Sequence, residues 1–170
     1  EAASAPNFPA DIVLVISNKP GALGLEKARE MGIQSMAIDH TAFKNRKAFE
    51  KALHAVLCEA EIDLVCCAGS MRVLTPWITS RWAGRMLNIH PSLLPKYKGL
   101  DTHARALENG DKTHGCTVHY VSEELDGGAI LAQSEIKILP GDTAESLAER
   151  LIPVEHALYI DALRRVCQDY

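Results

Sequence analysis

The chain has 170 residues, enough for one domain with a proper core. Hydrophobic residues make up 47% and charged residues 24%, which is ordinary globular usage. The formal net charge of -4 gives no general affinity for nucleic acid or an anionic membrane, so a phosphate-bearing ligand has to be held by local groups.

Strand-like runs alternate with helical patterns through the first half, which predicts an α/β sheet with parallel strands. Residues 11–16 (DIVLVI) read as a buried strand, and residues 21–32 as a helix stopped by Gly32. Residues 34–38 are a second strand. Residues 45–61 place Phe49, Leu53, Val56, Leu57 and Ala60 on one helical face. Residues 62–69 (IDLVCCAG) read as a third strand, apolar as a central parallel strand should be. A short helix or turn with two tryptophans follows Thr75-Pro76, then a short strand at 85–90 that ends on Asn88 and His90. A proline-rich loop (PSLLPKYKG) leads to a helix at 101–110, with Asp101 as its expected N-cap. Residues 114–122 and 129–138 are two strands separated by EELDGG, an antiparallel excursion. From Thr143 the tail is helical, with Leu147, Leu151, Val154 and Leu158 on one side and Pro153 expected to interrupt it. No stretch approaches the roughly 20 apolar residues of a membrane span.

In open α/β sheets, ligands bind beyond the carboxyl ends of strands. The sharpest feature there is Asn88-Ile89-His90-Pro91. Residues two apart in a strand share a face, so Asn88 and His90 project together. An amide donor beside an imidazole can hold a developing oxyanion, and the imidazole can carry a proton. By spacing alone the motif is only suggestive, and a loop-entry Asn with a satisfied His is the plainer reading. Asp126-Gly127-Gly128 reads either as a plain turn or as an acid presented on a backbone that glycines make possible. If Asp126 reaches His90, it fixes the tautomer of the imidazole. At the end of the third strand, Gly69, Ser70, Met71, Arg72, Val73 and Leu74 suit a flat ligand bearing carboxylates, or plain core packing with a surface Arg. His40, His54, His103 and His114 are expected on the surface or at caps, and Lys96, Lys98 and Arg105 on a solvated face. The five cysteines show no CxxC or Cys/His ligand spacing, which predicts reduced thiols in a cytoplasmic protein, with Cys66 and Cys67 as small buried hydrophobes. Neither GxGxxG nor Walker spacing is present.

Taken together, the segments IVLVISNK, CCAGSMRVLTP, GRMLNIHPSLLPKYKGLDTHARALENGDKTHGCTVHYVSEELDGG and EHALY resemble the phosphoribosylglycinamide formyltransferase family, from Asp11 to the end. That resemblance implies an open, mostly parallel twisted sheet with helices on both faces, an antiparallel pair near the C-terminal half, and a single domain over residues 1–170. It implies transfer of the formyl group of 10-formyltetrahydrofolate to the amine of glycinamide ribonucleotide, without a metal and without a nucleic-acid or membrane partner. The resemblance assigns catalysis to Asn88, His90 and Asp126. It assigns folate contacts to Arg46, Met71, Arg72, Val73, Leu74, Asn88 and the stretch Ser122, Glu123, Glu124, Leu125 and Asp126. Gly69, Pro91 and Glu155 match positions at the nucleotide substrate, and Thr117 and His119 support the pocket.

Two departures qualify it. Family members open with an extra strand and a Gly/Ser/Asn-rich turn that holds the nucleotide's phosphate, and no such segment precedes Asp11. The expectation is an incomplete sheet with an unpaired edge. Ser70 also stands where the family carries Phe. Methionyl-tRNA formyltransferase, formyltetrahydrofolate deformylase and a non-catalytic folate-binding remnant are the alternatives; the run KGLDTHARALENGD favours the glycinamide enzyme.

Overall fold

The computed structural model describes residues 2–69 and 73–168. The chain divides into two compact units, residues 1–63 with 74–81 and residues 64–73 with 82–170. The strands run β1 (Leu14–Ser17), β2 (Gln34–Ala37), β3 (Val65–Cys67), β4 (Met86–His90), β5 (Thr113–Tyr120) and β6 (Ile130–Lys137). The helices are α1 (Leu23–Glu30), α2 (Arg46–Glu59), α3 (Pro76–Thr79), α4 (Thr102–Glu108) and α5 (Ala144–Gln168).

In the first unit, β1 and β2 pair in parallel and α1 packs on both. Ile12 and Val13 are about half exposed at 49% and 50%, so the first strand is shorter than the apolar run that predicted it. Asn45 caps α2, its side chain accepting from the Ala48 N–H. Phe49 and Leu57 are buried on the predicted face of α2. Glu50 is fully buried beside them because it accepts from both the backbone N–H and the hydroxyl of Thr75, which tethers the start of α3.

In the second unit the sheet order is β3-β4-β5-β6, with β3 parallel to β4 and the other two pairs antiparallel. Strand β3 is therefore an edge strand among the described residues, not a central one, and Cys66 on it is exposed rather than buried. Strands β4 and β5 are the two interior strands, and β5 is buried from His114 to His119. Its Cys116 and Val118 pack against Leu151, Leu158 and Ala162 of α5, the core of this unit. The α5 stripe follows the predicted spacing. The helix runs unbroken through Pro153, because apolar contacts on both sides of the proline hold it to β5 and β6. Tyr159 donates to the carbonyls of Cys67 and Leu87, tying α5 to β3 and β4. No helix among the described residues is long and apolar enough to cross a membrane.

Candidate active site

Strand β4 delivers Asn88 and His90 to one face, as alternation requires. The antiparallel register sets Asn88 opposite His119 and His90 opposite Thr117, so four polar side chains gather on one patch of the second unit. Two loops close over it: residues 91–101 after β4, and residues 121–129 between β5 and β6. The second loop carries Asp126, held at φ 48°, a left-handed conformation unusual for a residue with a side chain.

His90 is 6% exposed, and its ring is held at both nitrogens. Nε2 donates to the carbonyl of Tyr97 at 2.8 Å. A carbonyl only accepts, so Nε2 keeps its hydrogen and Nδ1 is the nitrogen left for proton exchange. Nδ1 lies 3.4 Å from Asp126 Oδ2, longer than the 2.7–2.9 Å of a closed charge-assisted bond. The same oxygen, Asp126 Oδ2, accepts from the Gly99 N–H at 2.9 Å.

Asn88 is oriented by His119. The Nδ1 of His119 donates to the carbonyl of Tyr120 at 2.9 Å, so Nε2 is free to accept from the Asn88 amide at 3.3 Å. Burial lowers the pKa of His119, partly offset by the Tyr120 bond and by Asp126, which keeps the ring neutral and this arrangement intact. Thr117 lies beneath, fully buried. Its hydroxyl donates to Ser92 O at 2.7 Å and accepts from Leu94 N and the Gln133 amide. This anchors the start of the loop after β4.

The remaining predicted positions fall in both units. Gly69, Val73 and Pro91 belong to the second unit, where Val73 is 46% exposed, while Leu74 and Arg46 belong to the first. Ser70, Met71 and Arg72 lie outside the described residues. Ser122, Glu123, Glu124 and Leu125 lead directly into Asp126; Glu123 and Leu125 are exposed, and Glu124 pairs with Lys98 at 2.6 Å. Glu155, half-buried on α5, has its carboxyl raised by burial, an effect partly offset first by His156 and then by His90.

Three expectations need correction. Asp101 stands at the start of α4, but at φ 58° its side chain makes no capping bond. His114 is buried, with its Nε2 3.0 Å from His103 Nδ1, and burial pulls its pKa down to about 4. Lys98 and Arg105 are only partly exposed, Lys98 pairing with Glu124 and Arg105 donating to the carbonyls of Lys98 and Leu100, whereas Lys96 is exposed as expected and pairs there with Asp111. Two functional groups escaped the sequence entirely, the Tyr97 carbonyl and the Gly99 N–H. Backbone atoms carry no residue signal; the only cue was a tight, glycine-ended loop directly after His90.

A site of this geometry can hold an oxyanion between an amide and an imidazole, with a carboxylate at hand for a proton. The chain matches the formyl transferase family over residues 1–163. The chain belongs to the formyl transferase family. Phosphoribosylglycinamide formyltransferase of Escherichia coli is 47% identical over 145 residues, covering 85% of this chain and 68% of that protein. The human trifunctional purine biosynthetic protein adenosine-3 is 47% identical over 161 residues. The chain spans 16% of that human protein and 12% of its Chironomus tentans counterpart. The crystal structure of phosphoribosylglycinamide formyltransferase from Brucella melitensis superposes with a TM-score of 0.93 at 48% identity, covering 98% of this chain and 85% of that one. The α/β formyltransferase fold expected from the sequence is thereby established, antiparallel pair included.

Proposed function

We propose that this formyl transferase moves the formyl group of 10-formyltetrahydrofolate to the primary amine of glycinamide ribonucleotide, a step of purine biosynthesis. The observation that carries the reading is the convergence of Asn88, His90 and Asp126, with His90 Nδ1 3.4 Å from Asp126 and the other ring nitrogen occupied by backbone. The names of the Escherichia coli and Brucella melitensis relatives support the choice of substrates. The family match runs through both units, which supports reading residues 1–170 as one formyltransferase domain. Five free thiols suit a reducing, cytoplasmic compartment.

In the proposed reaction the amine lone pair attacks the formyl carbon, and the carbonyl electrons move onto oxygen. The Asn88 amide and the Nδ1–H of charged His90 donate to that oxyanion. Asp126, anchored by the Gly99 N–H, accepts the proton released by the amine through a bridging water. The intermediate then collapses, the bond to the folate nitrogen breaks, and that nitrogen takes the proton. The products are the formylated amine and tetrahydrofolate, with no change of oxidation state. Ser122–Asp126 supply a folate-facing loop and Glu155 a contact for the ribose hydroxyls in this reading.

The test is to follow loss of formyl from 10-formyltetrahydrofolate with and without the amine acceptor. Transfer predicts turnover only when glycinamide ribonucleotide is present, with one formylated product per folate consumed. Loss of formyl at the same rate without acceptor identifies a hydrolase, and folate binding without turnover identifies a non-catalytic binder.

A further inference from the structure

The loop after β4 holds both halves of the His90–Asp126 pair through one short stretch of backbone. The Tyr97 carbonyl receives His90 Nε2, and two residues later the Gly99 N–H binds Asp126 Oδ2. Tyr97 itself sits at φ 55°, a left-handed backbone that a residue with a bulky side chain keeps only when its surroundings enforce it. What enforces it lies outside the site. The Tyr97 hydroxyl donates to Asp111 Oδ2 at 2.8 Å, just after α4, and Lys96 Nζ pairs with the same carboxylate at 3.2 Å. Arg105 of α4 places its guanidinium 5.1 Å from the Tyr97 ring centre and donates to Lys98 O at 2.8 Å. Ser92, fully buried, donates to Lys96 O at 2.6 Å from beneath.

We propose that Tyr97 and Asp111 are positioning residues: their side-chain bond sets the Tyr97–Gly99 turn, and that turn fixes the tautomer of His90 and its distance from Asp126. Neither residue touches a reacting atom. The Asp111 carboxyl is held below its usual range, first by the Tyr97 hydroxyl, and the Tyr97 hydroxyl is raised in turn by Asp111, so the bond stands as phenol to carboxylate across the neutral pH range. The inference rests on the catalytic reading of His90 given above. Its structural half, control of the His90 ring by Tyr97 and Asp111, stands independently of that reading.

Nitrogen NMR of the histidine rings in the intact protein tests both halves. Wild-type protein should show His90 with a protonated, slowly exchanging Nε2. Tyr97→Phe removes one oxygen, and Asp111→Ala removes the acceptor. Each should speed exchange of that ring proton roughly tenfold, the scale of one lost hydrogen bond to a charged group. If the catalytic reading holds, kcat should fall about tenfold, short of the roughly 100-fold that a 1 Å misplacement can cost, while KM moves little. Asp111→Asn keeps an acceptor for the phenol and should restore most of both signals. Tyr97→Phe keeps the experiment readable if Asp111→Ala unfolds the protein. An altered His90 ring in a protein that never transfers formyl supports the clamp and sinks the proposed activity. Unchanged ring exchange and unchanged kcat in Tyr97→Phe overturn the clamp.

Discussion

Gly128 shows how a single residue can be fixed by its neighbours' backbone rather than by its own torsion angles. A Cβ built on Gly128 falls 1.8 Å from the carbonyl oxygen of Tyr120, an impossible contact with main chain that cannot swing away. Gly128→Ala should therefore push the Asp126 loop off β5 and cost about 1–3 kcal/mol, the usual range for overpacking. Urea denaturation with an unchanged m-value checks this, and a variant as stable as wild type would contradict it. The glycines of this loop were legible in the sequence as permissive backbone, but for a different reason: it is Asp126 that occupies left-handed space, while Gly128 is required by close approach. The pair Asn88 and His90 was legible because strand alternation alone puts them on one face. The neutral role of His119 was not, since it depends on a cross-strand neighbour and a carbonyl that local sequence cannot place.

At the scale of elements, α5 covers β5 and β6 of the second unit and packs on α4. Leu151 is fully buried against Cys116, Val118, Leu158 and Ala162. Leu151→Ala leaves a cavity between helix and sheet and should cost about 2–5 kcal/mol, read as a drop in melting temperature. Less than about 1 kcal/mol would mean that the helix can collapse onto the space. The α5 stripe, the α2 face and the β5–β6 hairpin were all legible from periodicity, since a helix or strand with one apolar face has only one way to bury it. An unpaired edge was expected from the resemblance, but that β3 would carry it was not legible. An apolar run of this length reads the same whether its strand lies at an edge or in the middle, and pairing is a long-range fact. Bonds made by the side chain of Tyr97 and the cations beside it were missed for a related reason: charge in a loop looks solvated until the fold supplies partners.

At the scale of the whole molecule, acid sensitivity follows from buried histidines. The pKa values of His103, His114 and His119 are lowered from the ordinary 6.5, each first by burial, and that of His114 reaches about 4. As pH falls below 6.5 the unfolded chain takes up protons that the folded chain refuses, so stability is lost progressively toward pH 4. Glu155 acts oppositely, because its raised carboxyl binds a proton in the folded state before the unfolded one does. Three histidines against one carboxyl predict a net loss, measurable as a lower urea midpoint at pH 5 than at pH 7. Replacing His114 with a neutral side chain of similar size should flatten that dependence. A midpoint that rises on acidification would refute this account of the buried rings.

The most direct test of the central claim is the turnover number of Asn88→Ala, His90→Ala and Asp126→Ala, each folded as wild type and saturated with 10-formyltetrahydrofolate and glycinamide ribonucleotide. Each single change should lower kcat by about 100- to 1000-fold, the scale of one lost oxyanion donor or proton acceptor, and combining them should add little further. Turnover within about threefold of wild type in any of the three would show that the chemistry does not run through that residue, and the arrangement of Asn88, His90 and Asp126 would need another explanation.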